Sequence, residues 1–171
     1  TADFIKNIIQ ETPDFAVVLG SGLGKLQNEV DQIHVLEYKD IPNFPQTTVA
    51  GHTGKLIYGI LEGKKVLMMS GRFHYYEGHS METVTFPMRV FHLLGIKNLI
   101  LSNACGGVNP DYSVADIVIL KDHINMMPEH PLRGRRRAAA ALPRRFLRRR
   151  DLRFWLPQLR RLRARPRRDV A

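Results

Sequence analysis

Apolar and polar positions alternate with more than one period along the first 125 residues. In "ADFIKNIIQE" (2–11) Phe4, Ile5, Ile8 and Ile9 recur at helical spacing, which predicts a short amphipathic helix. "FAVVLG" (15–20) is an unbroken apolar run closed by glycine, the pattern of a strand buried on both faces. "IHVLEY" (33–38) predicts another strand. "KLIYGILEGKKVLMMSG" (55–71) places two apolar runs around Glu62-Gly63-Lys64, which predicts a hairpin. "SMETVTFPMRVFHLLG" (80–95) predicts a helix with Ser80 as its N-cap and Gly95 as its stop, and Pro87 predicts a kink or a late start. "IKNLILSNA" (96–104) and "ADIVILKDHI" (115–124) predict two further buried strands. Two prolines and no periodicity make 39–54 a long loop, a kind of segment that often carries function.

Strands interleaved with helices point to an α/β fold, a mixed central sheet flanked by helices. In such sheets ligands gather where strands end in loops. Three of these ends are rich in chemistry: "GSGLG" (20–24), "SGRFHYYEGH" (70–79) and "SNACGGVNP" (102–110). "GSGLGK" lacks the spacing of a dinucleotide fingerprint and of a P-loop. What remains is glycine backbone that exposes N–H groups, with the Ser21 hydroxyl beside it, equally consistent with a tight strand-to-helix turn. Arg72 offers a planar fork suited to phosphate oxygens. His74 lies two residues on and shares its side if the strand continues, and Tyr75, Tyr76 and Glu77 add an aromatic surface and an acceptor. His74, Glu77 and His79 match no common metal spacing, since Gly78 interrupts any helix. Asn103 can donate and accept beside two glycines. Cys105 is more readily a small buried filler than a nucleophile, because no base pairs with it. His123, Glu129 and His130 read as loop residues around Pro128. Ser21, Arg72, His74 and Asn103 together describe an anion site with room beside it for something flat and hydroxylated.

Composition sharpens this picture at one end only. With 44% hydrophobic residues the chain is not disordered overall. No apolar run is long enough to predict a membrane span, and "TADFIKNIIQETPDF" has no signal-peptide core. The single cysteine fits a cytoplasmic setting. The net charge of +10 is unevenly held. Residues 1–132 contain eight Lys, two Arg and fourteen acidic residues, a net −4, whereas 133–171 contain sixteen Arg and two Asp, a net +14. A nucleic-acid reading drawn from the overall charge therefore fails for the first 132 residues.

In order, "VVLGSGLG", "AGHTGKLIYGILEGKKVLMMSGRFHYYEGHS" and "LSNACGGVNPDYSVADIVILKDHIN" resemble the trimeric purine nucleoside phosphorylases, and the likeness runs through residues 1–132. The resemblance implies phosphorolysis of purine nucleosides to free purine and ribose 1-phosphate, in a homotrimer, with inorganic phosphate as co-substrate and no metal or organic cofactor. It implies that Ser21, His52, Arg72, Phe73, His74, Asn103 and Ala104 hold phosphate, that Arg72 and His74 serve catalysis, and that Tyr76 lies against the ribose. Methylthioadenosine phosphorylases share the fold and give an alternative substrate.

After Gly134 the text changes to "RRRAAAALPRRFLRRRDLRFWLPQLRRLRARPRRDVA". The domain reading is thus 1–132 as the N-terminal part of a phosphorylase domain and 133–171 as an Arg-rich tail, disordered or loosely helical. The family continues near this point with an acidic stretch and an Arg-Phe-Pro-Asp element. One choice of codons for Leu142–Phe146, read one base on, gives Phe-Pro-Asp-Val, so a frameshift near residue 134 is expected. The rival reading is a basic amphipathic tail that binds nucleic acid or an anionic surface, with Phe146, Phe154 and Trp155 stacking on bases.

Overall fold

The computed structural model describes residues 1–20, 22–46, 54–120 and 122. Its elements are α1 (Ala2–Ile9), β1 (Phe15–Val18), β2 (Asp31–Glu37), β3 (Lys55–Leu61), β4 (Lys64–Ser70), α2 (Met81–Leu93) and β5 (Leu99–Leu101). Short 3₁₀ turns lie at Gly24–Glu29, Tyr38–Asp40 and Tyr75–Glu77. The strands form one mixed sheet in the order β2-β3-β4-β1-β5. β2, β3 and β4 are antiparallel neighbours, and β1 runs parallel to both β4 and β5. Phe15 stands opposite Val66, and Val18 stands opposite Met69 on one side and Leu101 on the other. α2 carries the chain from β4 past β1 to β5, the crossover that parallel pairing requires.

Both faces of the central strands are covered, which explains why β1 reads as a continuous apolar run. On one face Ala16, Val18, Leu67 and Met69 pack with Ile5 and Ile9 of α1 and Val90 and Phe91 of α2. On the other, Phe15, Val17, Val66 and Met68 pack with Leu26 of the first 3₁₀ turn and with Val30.

Helix α2 begins at Met81, not late. The Ser80 hydroxyl accepts the Thr83 N–H at 3.2 Å, and Pro87 sits buried inside the helix. Its end is closed at Gly95, whose φ of +83° suits glycine. There the Gly95 N–H donates to His92 O (2.9 Å) and the Ile96 N–H to Phe91 O (3.1 Å).

Two expected strands differ. Of 96–104 only Leu99–Leu101 pairs, because its partner β1 offers just Ala16–Val18 to it. Of the expected strand 115–124, residues 115–120 and 122 form no strand, and Ile117, Val118, Ile119 and Leu120 are all exposed. An apolar run becomes a strand only where a neighbouring edge takes its backbone groups. No described strand pairs with this run. Residues 121, 123 and 124 lie outside the described residues, as does 47–53 of the long loop. The described start of that loop is pinned by buried Tyr38, Ile41 and Phe44.

Candidate functional site

The C-terminal ends of β4, β1 and β5 lie side by side, and hydrogen bonds tie the loops that leave them. The Leu19 N–H donates to Met69 O (3.1 Å). The Ser102 N–H and hydroxyl both donate to Val18 O (3.3 and 3.2 Å), and the Gly20 N–H donates to Ser102 Oγ (2.8 Å). Arg72 closes this corner. A Cβ built on Gly20 would stand 2.7 Å from Arg72 Nη2 and 2.5 Å from the Ser102 carbonyl oxygen. Only a glycine lets the guanidinium and the β5 loop come this near to the end of β1.

The loop after β4 rests on an aromatic floor. The buried Tyr38 donates its hydroxyl to Gly71 O (2.9 Å), and burial raises its phenol well above the ordinary range. Its ring lies 4.8 Å from that of Phe44 and 5.6 Å from that of Phe73. Phe73 thus points into the core, and Arg72 and His74 on either side of it remain partly accessible.

His74 is held twice by Glu77. Its backbone N–H donates to Glu77 Oε2 and its Nδ1 lies against Oε1, both at 3.1 Å. A carboxylate only accepts, so Nδ1 carries the proton of this contact and Nε2 is left for a ligand. The His74 backbone N–H, opposed by desolvation and helped by the His74 ring, holds the Glu77 carboxyl below its usual range. Tyr76 is 82% exposed and its ring stacks on His74, with centroids 4.7 Å apart.

Of the residues expected at the site, Arg72 meets the end of β1 and Ser102, while His74 and Tyr76 form a second group on the same loop. The Phe73 side chain belongs to the core, so it can offer a ligand only its backbone. Asn103 and Ala104 are exposed and follow directly on Ser102. Ser21 and His52 lie outside the described residues. Cys105 is exposed, not the buried filler its setting suggested, because the loop after Ser102 leaves the sheet without cover. Among the described residues no cluster is arranged to hold a metal ion. Sequence reasoning passed over Ser102, the knot between β1 and β5. His79, weighed only as a metal ligand from its spacing, instead lies on the far side of Glu77 with Nε2 3.6 Å from Oε2. Nothing local marks Ser102, since its partners are 82 and 84 residues away. The corner thus presents the Arg72 guanidinium beside the end of β1, with the His74 imidazole following on the same loop, two groups of the kind that meet an oxyanion.

Known proteins match this chain closely. The pattern of the phosphorylase superfamily matches residues 14–159. Rat purine nucleoside phosphorylase is 49% identical over 137 residues, a match covering 78% of this chain and 47% of the relative. Bacillus subtilis purine nucleoside phosphorylase 1 is 52% identical over 133 residues, covering 78% and 49%. A solved purine nucleoside phosphorylase in complex with ribose-1-phosphate aligns with a TM-score of 0.63 at 50% identity, over 67% of this chain and 42% of that one. The Schistosoma mansoni enzyme in complex with inosine aligns with a TM-score of 0.62 at 48% identity, over 67% of this chain and 40% of that one. The chain thus spans about half the length of the curated relatives it matches. With the superfamily pattern matched over residues 14–159, the chain belongs to the phosphorylase superfamily.

Proposed function

We propose that this chain carries the phosphate side of a purine nucleoside phosphorylase. The reaction is phosphorolysis of purine ribo- or 2'-deoxyribonucleosides to free purine and the pentose 1-phosphate. The observation that carries the reading is the Arg72 guanidinium seated against Gly20 and Ser102, where three strands end together. Arg72 neutralises and orients the phosphate, His74 Nε2 faces its oxygens, and the exposed Tyr76 ring offers a surface for the ribose. A phosphate oxygen attacks the anomeric carbon as the bond to the purine nitrogen breaks, and the purine leaves with the electron pair. Phosphate is itself the nucleophile, so positioning and charge complementarity are what the protein supplies. Ser21, His52, Asn103 and Ala104 complete the phosphate shell in this reading. The curated relatives named above are purine nucleoside phosphorylases, which favours nucleosides with an ordinary 5'-hydroxyl over the thioether methylthioadenosine.

Phosphate placement alone does not stabilise the departing purine. The Arg-rich text after Gly134 offers no acidic or amide cluster to grip a purine, although the superfamily pattern runs to residue 159, so residues 1–171 alone should turn over inosine poorly. A coupled assay of hypoxanthine release from inosine and phosphate checks this, and a rate near that of an intact relative contradicts it. We read 133–171 as the product of a frameshift near residue 134. Resequencing the coding DNA then finds a neighbouring frame that restores an Arg-Phe-Pro-Asp element, and no such frame in the DNA refutes it. Trimeric assembly is part of the same proposal, with light scattering as its measure.

A further inference from the structure

The Glu77 carboxylate lies between two imidazoles, and only one is explained by the reading above. On one side it holds His74 through backbone and ring, both at 3.1 Å. On the other, His79 Nε2 stands 3.6 Å from Oε2. Both the Glu77 and His79 side chains are only 15% exposed. His79 Nε2 is fully covered and makes no hydrogen bond among the described residues. Packing accounts for the ring but not for the nitrogen. The His79 ring meets Phe73 edge-on, with centroids 5.6 Å apart at 86°, a role any aromatic side chain could fill. A covered imidazole nitrogen otherwise costs stability, and the acceptor it faces is the carboxylate that sets the His74 ring. A contact of this length is of the kind that shortens when a ligand loads the site. The charge of a protonated His79 also adds, as the smallest of the favourable influences, to holding the Glu77 carboxyl low.

We propose that His79 is a positioning residue whose Nε2 braces the Glu77 carboxylate and, through it, fixes the ring orientation and tautomer of His74. Its bearing on phosphate rests on the function proposed above, but the brace itself can be read without phosphate. The geometry demands a set pair of tautomers at neutral imidazole: Nδ1–H for His74 and Nε2–H for His79. With Nε2 bare, His79 would turn a lone pair toward a carboxylate and could not brace it.

Ring ¹⁵N spectra of the full chain, labelled at histidine, report both tautomers directly. His74 as Nδ1–H together with His79 as Nε2–H is the expected result, and either ring in the opposite form overturns the proposal. His79→Phe keeps the packing on Phe73 and removes the nitrogen. With backbone spectra unchanged, the Nε2–H share of His74 should rise about threefold, as suits the loss of one weak polar contact. His79→Gln, which can still donate to Glu77, should restore the native share. An unchanged His74 in a folded His79→Phe chain overturns the proposal, and if that variant does not fold, the tautomer pair of the unmodified protein decides alone. Adding inorganic phosphate to the same sample separates the two readings. Movement of the His74 Nε2 signal supports the phosphate site, whereas a silent Nε2 beside the expected tautomers leaves the brace standing and removes its catalytic purpose.

Discussion

Gly20 and Arg72 form the contact on which the site is built, and each can be changed alone. Gly20→Ala places a methyl group 2.5 Å from the Ser102 carbonyl and 2.7 Å from the guanidinium. The expected cost is about 1–3 kcal/mol in denaturant unfolding, with Arg72 displaced and phosphate affinity falling with it. A Gly20→Ala chain of unchanged stability would contradict the close approach. Glu77 gives a pH dependence with a definite sign. Its folded carboxyl sits below the unfolded value near 4.5, so its contribution is complete above that value and is lost as pH falls through the lower, folded one. Glu77→Gln should therefore be less stable than the parent near neutrality, and the two unfolding curves should converge below pH 4.5. Parallel curves across that window would show that Glu77 holds nothing. Arg72 and His74 were legible as residue types just past a strand end, but β4 stops at Ser70 and Gly71 turns with a φ of +109°, so the two do not share a strand face. Ser102 was not legible, because its partners meet it only after folding, and His79 was visible as a residue but not as the neighbour of Glu77.

At the scale of elements, α2 is the clearest case of local signals agreeing. Its serine cap and glycine stop were readable residue by residue, and both are present in hydrogen bonds. Ser80→Ala should cost about 1 kcal/mol in equilibrium unfolding, since the Thr83 N–H loses its acceptor. The hairpin β3–β4 was equally legible, because two apolar runs around Glu62-Gly63-Lys64 leave one economical way to pair. β5 shows where such reading ends. An apolar run says that a segment prefers burial but not which neighbour will take it. Only three residues of 96–104 found one, and none of 115–120 did. Leu99 and Leu101 are 40% and 64% exposed on a strand with a single described neighbour. Such an edge invites pairing between chains. Leu101→Lys should lower concentration-dependent light scattering with little change in melting temperature, and unchanged scattering would place the association elsewhere.

For the whole molecule, the described residues form an α/β sheet whose two apolar faces are filled and whose parallel strands end in a single chemical corner. The sequence motifs announced that corner because an oxyanion site needs glycine backbone and an arginine fork, and both are visible as letters. They said less about the complete site, since a ligand shell draws on segments far apart in the chain. The opposite charges of 1–132 and 133–171 matter for any binding test, because sixteen arginines attract anions of every kind. The decisive measurement is therefore calorimetric titration of the full chain with inorganic phosphate, set beside its Arg72→Ala variant at moderate salt. The account predicts saturable binding in the parent that Arg72→Ala abolishes while the fold persists. Equal binding by the two chains, or none by either when folded, would contradict it.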